Sequence, residues 1–95
     1  MKAYWIAIYK EMKNPENIKK YAEKAAPAIK KYKGIILARG GKVETIEGNP
    51  SPRTVLIQFP TMENALKCYN SKEYQEAWSL AKGSTYRNLE IVEGV

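Results

Sequence analysis

An α+β fold in the order β-α-β-β-α-β is predicted by three observations. A run of aromatic and β-branched residues opens the chain, two amphipathic helical stretches follow a cap or a proline, and the apolar segments around them have strand length. Ala3 to Tyr9 is too short for a helix and ends at Lys10 and Glu11, so it reads as the first strand. Asn14 is placed to cap a helix, with Pro15 at its first position and Glu16 complementing the dipole. Ile18, Tyr21, Ala22, Ala25, Ile29 and Tyr32 form one apolar stripe, and Gly34 is a fitting stop. Pro27 falls on the solvent side, where it is expected to bend or split the helix.

Ile35 to Arg39 reads as the second strand and Lys42 to Glu47 as a further extended piece, with Gly40-Gly41 between them. Two readings stay open there, a tight Gly-Gly hairpin or a bulge in one long strand. Residues 48–52 are a loop, and Thr54 to Phe59 is a strand ended by Pro60. Thr61 caps the second helix, with Glu63 in its first turn. Its stripe of Met62, Ala65, Leu66 and Tyr69 would continue at position 73, which is Glu73, whereas Tyr74, Ala77, Trp78 and Ala81 start a new phase. The slip falls at Asn70-Ser71, and because Ser71 can cap a fresh segment, a break or kink is expected there. Gly83 ends the segment, and Tyr86 to Val92 is the last strand.

This order is the split βαβ of ferredoxin-like folds, with two helices on one face of a four-stranded antiparallel sheet. Side chains alternate along strands, yet neither face is consistently polar: Trp5, Ala7 and Tyr9 oppose Tyr4, Ile6 and Ile8, while Val55, Ile57 and Phe59 oppose Thr54, Leu56 and Gln58. Whichever face the helices take, the other exposes large apolar groups, each contributing about 1.5–3 kcal/mol if buried. A homodimer packed through its sheet faces is therefore expected.

The length of 95 residues suits a single domain, residues 1–95, burying roughly 65% of its unfolded surface. With 44% hydrophobic and 27% charged residues, the composition is that of a globular protein. The longest apolar run is too short for a membrane span or signal-peptide core, which points to a cytoplasmic protein with no membrane partner. The chain has no histidine, no aspartate and one cysteine, Cys68. Ser-His-Asp and Cys-His nucleophiles are thereby excluded, and neither a metal site nor a cofactor is expected. Cys68 reads as a small hydrophobe within the second helix.

The net charge of +6 arises entirely before Gly34, where nine lysines meet three glutamates. A lysine-rich solvated face accounts for it better than a nucleic-acid footprint, and residues 54–59 lack the aromatic pattern of RNA-recognition modules, so nucleic acid is not an expected partner. Arginine is more informative, with three against thirteen lysines. Arg39, Arg53 and Arg87 mark positions that need a planar fork, for a carboxylate, a phosphate or a structural glutamate.

Tyr4-Trp5-Ile6-Ala7, Ala26-Pro27, Arg39-Gly40-Gly41, Glu47-Gly48, Phe59-Pro60, Tyr69-x-Ser71-x-x-Tyr74 and the closing Glu93-Gly94-Val95 together resemble the domain-of-unknown-function family numbered 1330, over essentially the whole chain. The resemblance implies a protomer of the dimeric α/β-barrel superfamily, a dimer closed through the sheets, and the bulged reading at Gly40-Gly41. It brings no reaction with it. Superfamily relatives include cofactor-independent monooxygenases of aromatic polyketides, muconolactone isomerase-like proteins and haem-binding members, and the lack of histidine argues against haem. The family's arginine-rich helices carry lysine here, so nothing is carried over from those positions.

Two functional readings follow. In the first, each protomer has a site for a small anionic or aromatic ligand between sheet and helices, formed by Trp5, Arg39, Gly40, Tyr69, Tyr74 and Trp78. Acid–base work would fall to Glu44, a tyrosine or a lysine, and a cofactor-independent oxygenase or isomerase of an aromatic or enolisable acid is the sharpest enzymatic form. In the second, the aromatic residues are core and the dimer is structural or regulatory, without catalysis.

Overall fold

The computed structural model describes residues 1–95. The elements are β1 (Ala3–Met12), α1 (Pro15–Lys31), β2 (Ile35–Arg39), β3 (Arg53–Phe59), α2 (Met62–Asn70), α3 (Lys72–Ser79) and β4 (Thr85–Glu93). The strands form one antiparallel sheet in the order β2-β3-β1-β4, so β1 is central and β2 and β4 are edges. The fold is the expected α+β arrangement, with three helices where two were expected because the second is divided in two. No helix is long and apolar enough to cross a membrane.

The division falls at Ser71, where the stripe slips. Ser71 takes an extended backbone (ψ 151) and its Oγ accepts the Tyr74 N–H at 3.1 Å, capping α3. Thr61 caps α2 in the same way, its Oγ1 accepting the Asn64 N–H at 3.1 Å. Asn14 does not cap with its side chain: it sits in the left-handed region (φ 44), and its carbonyl accepts the Asn17 N–H. Pro27 neither splits nor ends α1, because it lies on the exposed side of a helix held from the other side by Ile18, Tyr21, Ala25, Ala28 and Ile29. Gly34 follows α1 at a close approach, where a Cβ would stand 2.6 Å from Ile29 and 2.9 Å from the Phe59 ring.

The connection after β2 departs from expectation. The extra residue of the β2–β3 ladder lies between Ile36 and Ala38, not at Gly40-Gly41, and Gly40 turns the chain out of the sheet (φ 72). Residues 42–47 are therefore not a strand. The ladder ends at the Arg39–Val55 pair, so these residues have no strand to join, and Val43 and Ile46 stay exposed. On α2, Leu66 is exposed while Cys68 is fully buried, because the helix turns Ala65 and Cys68 inward.

The helices cover the face carrying Trp5, Ala7, Tyr9, Val55, Ile57 and Phe59, and the core lies between. Leu89 and Ile91 of β4 pack against it, with Asn88 and Glu90 on the opposite side. That opposite face bears the predicted apolar patch: Tyr4, Ile6 and Leu56 are half-buried, and Ile8, Ile35 and Val92 are 41%, 56% and 51% exposed.

Candidate functional site, an arginine-lined cleft

Strand register gathers all three arginines at one end of the helix-covered face. Tyr9 on β1 pairs with Arg53 on β3 and with Arg87 on β4, forming one cross-strand row. Directly paired residues point to the same side of a sheet, so both arginines project where buried Tyr9 projects, toward the helices. Arg39 on β2 pairs with Val55, and Val55 with Ala7, the next row on that face. Ala22, Ala25 and Ala26 of α1 are too small to fill the gap between the helix and the sheet. The resulting cleft has a cavity of about 20 Å³, room for about one water.

The three guanidiniums are held differently. Arg87 is pinned: Nη2 donates to the Tyr74 hydroxyl at 2.8 Å, Nη1 lies 3.3 Å from the Tyr21 hydroxyl and 3.4 Å from that of Tyr9, and the fork lies 3.7 Å from the centroid of the Trp78 ring. Burial works against its charge, and the phenol oxygens of Tyr21 and Tyr74 more than offset this, holding the guanidinium above its ordinary range. Arg53 is half-buried, 5.7 Å from the Tyr9 ring, with Nη1 where a Cβ on Gly40 would come within 2.8 Å. Ser51 fixes its backbone, since the Ser51 Oγ accepts the Arg53 N–H at 3.2 Å and lies 2.7 Å from the Tyr9 carbonyl. Arg39 is exposed at the rim.

None of the three has an acidic partner, because every ion pair in the chain uses lysine. No acidic side chain lines the cleft. Burial, ahead of other influences, raises the phenols of Tyr21 and Tyr74, whose hydroxyls lie 2.6 Å apart, so both remain protonated donors near neutrality. Such a cleft can bind an anion and stabilise developing negative charge; it contains no carboxylate or imidazole to act as a base.

The sequence-derived site residues divide into two groups. Trp5 and Arg39 line the cleft, and Gly40 sits at its edge beside Arg53. Tyr74 and Trp78 stand behind Arg87: Tyr74 is fully buried, edge-on to Trp5 at 5.0 Å, and Trp78 packs against Tyr21 at 5.5 Å. Tyr69 lies beyond Trp5, at 5.9 Å, in a shallow apolar groove with Leu89 and Ile91. The break at Ser71 is packed shut, with Cys68 and Tyr74 both inaccessible. Glu44 lies outside, in the exposed loop, paired with Lys42 at 3.5 Å. Tyr9, Tyr21, Arg53 and Arg87 were not assembled into a site by sequence reasoning, and the signal that pointed to the arginines was their scarcity among lysines.

No curated protein matches the chain. Among solved structures, it is similar to a protein of unknown function from Rhodopseudomonas palustris, with a TM-score of 0.79 and 11% identity over 99% of this chain and 82% of that one. It is also similar to SnoaB, a cofactor-independent oxygenase from Streptomyces nogalater, with a TM-score of 0.71 and 4% identity over 99% and 93% of the two chains. A dimeric protein of unknown function and ferredoxin-like fold from Bacteroides fragilis matches at 0.59 and 11% identity, over 98% and 96%. At such identities these likenesses establish the fold alone. The sequence model of one family matches residues 2–95, and by that match the chain belongs to Domain of unknown function (DUF1330).

Proposed function

We propose that the chain is a small-molecule-binding protein whose ligand is an anionic aromatic or enolisable acid, held in the cleft between α1 and the sheet. The observation that carries this reading is the convergence of Arg39, Arg53 and Arg87 on one aromatic-walled space with no acidic residue to neutralise them. Like charges gathered at one place repel, and an anion between them relieves that repulsion. In the enzymatic form of the reading, the arginines hold the substrate's enolate or phenolate while dioxygen or a proton reacts with it. A substrate acidic enough to ionise unaided needs no protein base. Likeness to a cofactor-independent oxygenase supports this form by analogy of fold. A second reading, a non-catalytic binding or regulatory protein, is favoured by the absence of a carboxylate or imidazole from the cleft.

We propose in addition that the chain is a cytoplasmic homodimer joined through the sheet face bearing Ile8, Ile35 and Val92. The apolar character of that face and the dimeric state of the Bacteroides fragilis relative support it. Size-exclusion chromatography with light scattering is expected to give twice the chain mass at micromolar concentration, and a monomer would refute it.

Native mass spectrometry of the purified protein tests the ligand directly, with one small acidic molecule expected per subunit. Arg39→Ala is expected to weaken its retention roughly tenfold, the worth of one charged hydrogen bond. Unchanged retention removes Arg39 from the site.

A further inference from the structure

We infer that Arg53 is the anion-anchoring residue of the cleft, and that the group it takes is the carboxylate of a small conjugated acid. The inference rests on the reading of the cleft as the binding site. Of the chain's buried side-chain nitrogens and oxygens, the Arg53 Nε alone has no hydrogen-bond partner. A buried donor left unpaired is costly, and native proteins rarely tolerate one without a use for it. Arg87 is already occupied by three phenols and an indole face, and Arg39 is exposed to water. Unspent, water-shielded donor capacity is thus found on Arg53.

Its surroundings aim that capacity. The Ser51 hydroxyl fixes the Arg53 backbone beside Tyr9, and Nη1 occupies the space that Gly40 leaves by lacking a Cβ. In a guanidinium, the Nε–H and the Nη–H parallel to it form the side-on fork that matches the two oxygens of a carboxylate. The cavity of about 20 Å³ has room for about one water, so an acid head enters only as the walls part, and a flat two-oxygen head demands less opening than a tetrahedral oxyanion. The body of the acid would lie against Tyr9 and Trp5 under the alanines of α1; both rings are buried, so its entry requires α1 to move away from the sheet. Aromatic walls and a roof of small residues select a flat, conjugated body.

With only three arginines in the chain, the three Nε–H signals in a nitrogen–proton correlation spectrum can be followed individually, the Arg53 signal being the one that Arg53→Lys removes. Titrating the full-length protein with benzoate is expected to shift that signal saturably. Arg53→Lys, which keeps the charge and loses the fork, is expected to weaken benzoate binding roughly tenfold or more, and Arg39→Lys less. Inorganic phosphate at equal concentration is expected to leave the signal in place. If benzoate binds wild type and Arg53→Lys equally, Arg53 is not the anchor, while the cleft reading stands. If phosphate shifts the signal as strongly as benzoate, the carboxylate assignment fails. If benzoate moves no arginine signal, the inference is overturned, and native mass spectrometry separately decides whether the cleft holds another ligand. Should Arg53→Lys not fold, the Arg53 signal is assigned in the wild type through its own side-chain protons, and the shifts with benzoate and with phosphate still decide between these outcomes.

Discussion

The two ends of the helix-covered sheet face use the same residue types to opposite effect. At one end Trp5, Phe59, Tyr69 and Tyr74 pack ring against ring, and the polar tip of Tyr74 is bonded to both Tyr21 and Arg87. At the other, Tyr9 shares its row with two arginines, a third approaches from β2, and no anion within the chain answers them. At the aromatic end the hydrogen bonds close on one another and take in Arg87; at the arginine end the buried Arg53 Nε is left without a partner. A fold with few residues to spare keeps three guanidiniums together without a carboxylate only at an electrostatic cost, and of the three Arg87 alone has that cost offset from within the chain, by phenols.

The comparison breaks most visibly if the aromatic end is emptied. Trp5→Ala should cost about 3–5 kcal/mol, by lost burial and a cavity that Phe59 and Tyr74 cannot fill, measured by urea unfolding. Tyr74→Phe should cost about 1–3 kcal/mol, because Tyr21 and Arg87 each lose a buried partner; a change near zero would mean that water replaces the hydroxyl freely. By contrast, Arg39→Ala at the open end should leave stability within about 0.5 kcal/mol of wild type while weakening ligand retention.

Near neutrality the smallest effect concerns pH, and it grows only in alkali. Burial, and then the nearby charge of Glu73, pushes the Cys68 thiol up to about 12, against about 8.5 for a free cysteine. The unfolded chain loses this proton first as pH rises, so the contribution is intact below about pH 8.5 and is lost progressively toward about 12. Tyr21 and Tyr74, also raised, add to the same alkaline loss above about pH 10. Urea unfolding midpoints should therefore fall with pH in that range. Iodoacetamide at pH 8 should leave Cys68 of the folded protein unmodified, and rapid native alkylation would mean that α2 opens readily.

Local signals account for most of the fold. The two serine and threonine caps, the phase slip at Ser71 and the alternation in β1, β3 and β4 are written within a few residues, and each appears where the chain predicts it. Local signals failed where a partner strand decides the outcome. Residues 42–47 are rich in β-branched residues of strand type but find no ladder to join, and the extra residue of β2 moves to Leu37 because the pairing of Ile36 with Ile57 and of Ala38 with Leu56 fixes it there. Pro27 was legible as a solvent-side residue, yet tertiary packing kept the helix whole around it.

The same division holds for the candidate site. By itself, the sequence determined the inventory: no histidine or aspartate, and arginine kept to three positions among thirteen lysines. That those three meet was decided only by strand register, which sets Arg53 and Arg87 on either side of Tyr9 although 34 positions separate them in the chain. Composition and caps act between near neighbours and can be read along the chain. A cross-strand row depends on the pairing of segments far apart, and a shift of one residue would have turned those arginines to the opposite face.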